Sequence, residues 1–369
     1  MAKNSNARKK IVSKARRTLV RRRSGHKRHR PRRSGGGVDY SFAASYKNLV
    51  ETNHRPKNEG DYDRVIHAPR VLSLVNNAEE TSQFIADLRS AFQKSKSVFV
   101  VLRDVEQIEY DGLTVLLSVM VRFKENGIDF NGDFPIDGAA KSVINESEFF
   151  KHLYKTNFRG ASSYKLGKKN SSIHTHANKT VDSSLSASLV MTAAKTIWGE
   201  ERRCPGVQRT IIELMQNTNN HASPEKEGER HWWLSIKHLQ EVKKVNFSFV
   251  DYGVGVFESL KQKKSGNKFF GALEALRLRF TPESNLDVLK LVFKGELHKT
   301  SSGKSYRGKG LPGMYEAFEK NALSRLVVVT NDVYFNSSEN TSRRLTPPFH
   351  GTFVHWELAE NNHSLHNEN

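Results

Sequence analysis

Residues 211–222, IIELMQNTNNHA, constrain this chain more than any other stretch. They open as the apolar flank of a core helix and then place a carboxylate, three asparagines and a histidine within nine residues. Asparagine is a poor helix former, because its amide competes for nearby backbone groups. At about 100° per residue, Glu213, Asn217, Asn220 and His221 fall within roughly a quarter-turn of one another. A helix with buried flanks can carry such a stripe only beside a cleft, where the polar groups line a site instead of sitting unpaired in a core.

The charge is segregated. Residues 1–38 hold fifteen Lys or Arg and no Asp or Glu, so that removing them leaves +5 of the net +20. Dense like charge, few apolar residues and a triple glycine before residue 38 argue for a disordered basic tail over 1–37. Such an arm suits nucleic acid or another polyanion, with DNA and RNA equally open; a solvated tail without a partner is the competing reading. The single cysteine, Cys204, excludes an intramolecular disulfide and a cysteine-rich zinc site, and fits a reducing compartment. The longest apolar run, near 113–121, falls far short of the ~20 residues that span a bilayer. The N-terminal stretch lacks the apolar run of a secretory signal. A cytoplasmic protein without a membrane segment is the expectation.

Residues 60–155 read as a small α/β unit. SVFVVL (97–102) fits a buried strand, and DGLTVLLSVMVRFKEN (111–126) repeats apolar residues at helical spacing, with Gly127 at its C-terminal end. IDF (128–130) suggests a second strand, and 137–153 a second amphipathic helix. This alternation favours parallel pairing with helices packed on the sheet. Residues 154–183 are rich in Ser, Lys and Asn and read as a linker (156–183 in the domain division), with His174 and His176 as exposed loop histidines.

The run from VLRDVEQIEYDGL to SEFFKHL resembles the STAS domain of anti-sigma-factor antagonists. Asp104, Gly112 and Leu113 match that family's strand–Asp–loop–Gly-Leu–helix pattern, but Tyr110 and Asp111 stand where its two serines would be. The phosphorylatable hydroxyl is therefore missing. Asp111 is read as a helix N-cap in preference to a phosphate mimic.

Past residue 184 come two helix candidates, strand candidates HWWLSIKHL and KKVNFSFVDYG, a long segment, a helix candidate LPGMYEAFEKNAL, and strand candidates RLVVVT and GTFVHWEL. DYGVG (251–255) follows a strand, where glycines at i+2 and i+4 let the backbone turn sharply beside a ligand. YRGKGLPG (306–313) feeds a helix N-terminus, which favours phosphate. ELMQNTNNHA, DYGVG, RGKGLPGM and HGTFVHWEL, in this order, resemble the N box, G1 box, G2 box and closing strand of the GHKL (Bergerat-fold) ATP-binding superfamily. DNA gyrase, MutL-type repair proteins, ninety-kilodalton heat-shock chaperones and sensor histidine kinases belong to it.

The resemblance implies roles. Asn217 would offer its oxygen to Mg²⁺, and Glu213 would act as general base toward the γ-phosphate of ATP. Asp251 would accept a hydrogen bond from the adenine amino group, with Gly253 and Gly255 closing over the base. Gly308, Gly310 and the amides around Leu311 would cradle phosphates, with Lys304, Arg307 or Lys309 neutralising charge. Thr352 would support the adenine side. His221 is either a ligand contact or a cap. Residues 256–307 would form an ATP lid, with helical-looking runs at 271–280 and 287–293 and glycines at 266, 271, 295 and 303.

The expected fold class is thus α/β: a STAS-like domain (60–155), then a GHKL α/β sandwich (184–360). The expected function is an ATP-binding, Mg²⁺-dependent, ATP-hydrolysing conformational switch whose STAS-like unit docks a protein partner, with a homodimer left open. An anti-sigma-type serine-protein kinase, and a non-hydrolysing regulatory module that binds protein or nucleic acid, are the alternatives.

Overall fold

The computed structural model describes residues 58–147, 149–155, 173–178, 180–221, 232–257, 284–294 and 310–362. The basic stretch 1–37, the run 271–280, the glycines at 266, 271, 295 and 303, and Lys304, Arg307, Gly308 and Lys309 lie outside them. The fold is mixed α/β, with parallel and antiparallel sheets.

The first half runs β1 (Arg64–His67), β2 (Val71–Leu72), α1 (Ala78–Gln93), β3 (Val98–Val101), β4 (Gln107–Ile108), α2 (Tyr110–Glu125), β5 (Phe130–Gly132), α3 (Gly138–Glu146) and α4 (Phe149–Lys155). Strands β1, β3 and β5 pair in parallel in that order, and β2 pairs with β4. All four residues of β3 are buried, as a continuous apolar run in a parallel sheet requires. The run 137–153 is two helices, not one. Asp137 caps the first through Ala140 N (2.8 Å), and Ser147 ends it with its hydroxyl on Ile144 O (2.7 Å), a local bond that competes with the helical ladder.

Asp111 does not cap α2. The N-cap position is Glu109, and Asp111 lies inside the first turn, buried. Its carboxylate accepts Leu74 N (2.5 Å), Val75 N (3.1 Å) and Ser73 Oγ (3.0 Å), so it closes the turn that leads into α1. A cap reaching across the fold cannot be told from a local one in sequence.

The second half runs β6 (Ile173–Asn178), α5 (Ser183–Trp198), α6 (Pro205–His221), β7 (Trp232–Leu239), β8 (Lys244–Asp251), α7 (Ser284–Phe293), α8 (Gly310–Glu319), β9 (Ser324–Asn336) and β10 (Thr341–Ala359). The five strands form one antiparallel sheet in the order β6-β7-β8-β10-β9. Strand β6 corrects the linker reading: Ile173 to Asn178, including His174 and His176, pair with β7 from Lys237 back to Trp232. An edge strand needs only one partner, so its apolar content can stay low. Helix α7 lies within the expected lid, yet its Val288, Leu289, Val292 and Phe293 belong to the core.

Period-two alternation divides this sheet between two cores. Trp232, Leu234 and Ile236 of β7, Val245, Phe247 and Phe249 of β8, and Val354, Trp356 and Leu358 of β10 pack with α5–α8. Trp233, Val250, Val327, Val329 and Phe353 turn the other way and share a core with α1 and α2. Helices α1 and α2 thus lie between the two sheets, and this is why every residue from Tyr110 to Val121 is buried. The regions expected as separate domains share this core. Among the described residues, no helix is long and apolar enough to cross a membrane.

Candidate functional site

Helix α6 buries Val207, Ile211, Leu214 and Met215 against the sheet. Thr218 is buried as well, its hydroxyl bonded to Leu214 O (3.1 Å). Glu213 and Asn217 stand on the edge of that face, one turn apart. The Glu213 side chain is 15% exposed, and its Oε1 accepts Arg209 Nε at 2.8 Å. Asn217 is half-buried, and no hydrogen bond to its amide occurs among the described residues. His221 belongs to the last turn of α6; its side chain lies outside the described residues.

Asp251 ends β8. Its residue number parity with Phe247 and Phe249 puts it on the face that meets the α5–α8 core, and it is 8% exposed. Oδ1 accepts Gly253 N at 2.8 Å, and no cation pairs with the carboxylate among the described residues. Burial pushes its pKa up to about 6, against the lowering effect of the Gly253 hydrogen bond. A row runs across the sheet from Trp232 through Asp251 and Thr352 to Thr330. Thr352 therefore adjoins Asp251 directly, and its Oγ1 is 3.5 Å from Thr330 Oγ1.

Beyond Asp251 the chain turns through Gly253 and enters a helical turn at Gly255, whose φ is +78. A Cβ at Gly255 would sit 2.4 Å from Asn331 Oδ1, so this position demands glycine on two counts. Tyr252 points through the sheet to the opposite side. Its hydroxyl meets Ser118 Oγ (2.9 Å) and Val115 O (3.2 Å) of α2, and Arg89 of α1 lies 4.8 Å over its ring.

Helix α8 begins at Gly310 and packs on α6 and α7. Leu311 is a core residue, 7% exposed, in the cluster that also holds Leu214, Phe257 and Met314. Any ligand contact at this position falls to its backbone N–H. The structure thus brings Glu213, Asn217, Asp251, Gly253, Gly255, Leu311 and Thr352 onto elements that share the α5–α8 side of the sheet.

Three groups at this site escape a reading of the sequence. Arg209 is the partner of Glu213, at the i−4 spacing that could have signalled it. Thr330 and Asn331 hold the glycine turn from β9, and their only signal is a polar pair ending the apolar run VVV. Among the described residues, no three His, Cys, Asp or Glu side chains cluster as metal ligands. Comparison of the chain with models of known protein families and with curated proteins finds no match.

Proposed function

We propose that residues 184–360 form a GHKL-type ATP-binding domain, that residues 60–155 form a STAS-like unit fused to its sheet, and that the protein is a nucleotide-driven conformational switch. The observation that carries this reading is Asp251. Among the described residues this buried carboxylate has one backbone hydrogen bond and no cation partner, and such groups concentrate where a ligand completes them. A partner with an N–H donor, as on the adenine edge, supplies what the site lacks. With a pKa of about 6, Asp251 is an ionised acceptor at neutral pH.

Asn217 fits Mg²⁺: a half-buried amide without a hydrogen bond to any described residue can turn its oxygen to a hard cation whose other ligands are phosphate and water. Bound Mg²⁺ would neutralise charge on the phosphates. Glu213 borders the same helical edge and is the candidate base. Its Oε1 is engaged by Arg209 and would have to let go, or leave the proton to Oε2. That ion pair favours one second reading, a module that binds nucleotide without turning it over. Kinase activity of the anti-sigma type remains a third proposal, tested by transfer of labelled phosphate to a partner. The small unit is built into the core through Thr114 and Ser118, whose hydroxyls meet Ser235 and Tyr252 of the second half, which supports an integral role for it; a protein partner would meet its outer surface. The arm 1–37 is proposed to grip a polyanion.

Titration of ATP with and without Mg²⁺, followed by turnover, tests the reading. Glu213→Ala should bind ATP and lose hydrolysis. Hydrolysis at the wild-type rate in that variant rejects the base assignment, and absence of turnover in the wild type selects the second reading.

A further inference from the structure

Strands β9 and β10 lose register beside the glycine turn. Asn331 pairs with Phe349, but the next pairing joins Thr330 to Thr352. Gly351 fills the gap with φ +124, and a Cβ there would lie 2.1 Å from Asp251 O. Asn331 itself adopts φ +50. Such a bulge re-aims side chains. In a regular strand Thr330 and Asn331 would point to opposite faces. Here both reach one segment, with Thr330 Oγ1 and Asn331 Oδ1 3.4 Å apart.

Their bonds are complementary. Thr330 Oγ1 accepts Val256 N (3.0 Å) and donates to Gly351 O (3.0 Å). Asn331 Oδ1 accepts Phe257 N (3.2 Å), and Nδ2 donates to Val254 O (3.1 Å). The N–H groups of Val256 and Phe257 open a helical turn, where the first amides lack partners within the helix. They are capped from across the sheet. The next residue, Asp332, holds Asn285 Nδ2 of α7 (2.5 Å) and Arg344 Nε (3.2 Å).

We propose that Thr330 and Asn331 are positioning residues of the nucleotide site: the bulge aims them to lock residues 253–257 in the one conformation that receives the base. This assignment rests on the nucleotide reading above. They touch no reacting atom; they fix the backbone that would close over the ligand, and Asp332 ties the same strand to α7.

Asn331→Gly tests this in the full chain. Glycine accepts the left-handed backbone without strain, so only the amide is lost. Asn331→Asp keeps the acceptor for Phe257 N and removes the donor to Val254 O. The readouts are amide exchange at Val256 and Phe257, MgATP affinity, and melting temperature. In Asn331→Gly, exchange at Phe257 should rise at least tenfold and MgATP affinity should fall about tenfold, with melting shifted by only a few degrees. Asn331→Asp should recover protection at Phe257 and most of the affinity, which a merely structural loss would not show. Faster exchange with unchanged affinity overturns the positioning role, and unchanged exchange overturns the clamp itself. A wild type that fails to bind MgATP defeats the nucleotide reading and this assignment with it, whereas the exchange data separately decide whether Asn331 holds the turn.

Discussion

The two faces of the five-stranded sheet solve the same burial problem differently. Toward α5–α8 the sheet presents stacked rings, Trp232 on Phe249 (centroids 6.1 Å apart) and Phe247 on Trp356 (5.1 Å). Toward α1 and α2 it sets a polar network among apolar side chains such as Trp233, Val250 and Phe353. Thr114 Oγ1 lies 2.7 Å from Ser235 Oγ, Ser248 Oγ meets His355 Nδ1 (3.0 Å), and Tyr334 OH donates to Val75 O (2.9 Å). Glu357 accepts Lys244 Nζ (2.9 Å) and lies 3.4 Å from Arg325, which in turn reaches Asn76 (3.2 Å). Apolar packing is non-directional and allows sliding. Hydrogen-bonded pairs fix one register, so the polar face sets where the small unit sits, and the apolar face supplies bulk stability. Tyr252 spans the difference: it belongs to the glycine turn and anchors in the polar face.

The largest effect should come from breaking that face. Glu357→Ala leaves Lys244 and Arg325 without their carboxylate; a broken buried pair costs about 3–5 kcal/mol, and the partial exposure of both cations puts this one near the low end. Burial raises the Glu357 pKa, but His355 and Lys244 outweigh it and hold the group at about 2. A depressed acid contributes stability above its unfolded value near 4.5, and loses it as pH falls toward 2. Urea unfolding of wild type and variant should therefore differ most above pH 5 and converge near pH 2. A difference independent of pH contradicts the network.

Next in size, and opposite in sign, is Asp251→Asn. Its pKa, raised from 3.8 to about 6, means that the folded state holds the proton more tightly than the unfolded one. Stability is then greatest below about pH 4 and falls as pH rises through 6. Roughly two units correspond to up to ~3 kcal/mol at neutral pH. The amide should raise the melting temperature at pH 7.5, with a gain that shrinks below pH 6. Destabilisation at pH 7.5 contradicts the isolation of this carboxylate.

Thr114→Val should cost about 1–2 kcal/mol by leaving Ser235 without its partner, and adding Ser235→Ala should recover part of it. On the opposite face, Ile236→Leu, one residue along the same strand, should cost under about 1.5 kcal/mol, because a volume-conserving apolar swap repacks. Equal costs for the two in unfolding experiments would erase the contrast between the faces.

Much of this was legible in sequence. Period two in HWWLSIKHL and GTFVHWEL predicts β7 and β10, and the alternation already places His355 and Glu357 with Phe353 on one face. The stripe of α6 predicts an edge that is neither core nor open surface, as found for Glu213 and Asn217. What stayed hidden depends on contacts between distant segments. IHTHAN has too little apolar content to reveal β6 without its partner strand. Asp111 looks like a local cap until Leu74 and Val75 are brought to it from 36 or more residues away. The bulge at Asn331 leaves no periodicity to read, because it is the interruption of one.

The most direct test of the central claim is calorimetric titration of MgATP into the full chain and its Asp251→Asn variant, in parallel at pH 7.5. Saturable binding by the wild type, weakened at least tenfold in a variant that melts at a higher temperature, is the predicted result. No binding by the wild type, or equal affinity in the two proteins, would contradict a nucleotide site at the end of β8.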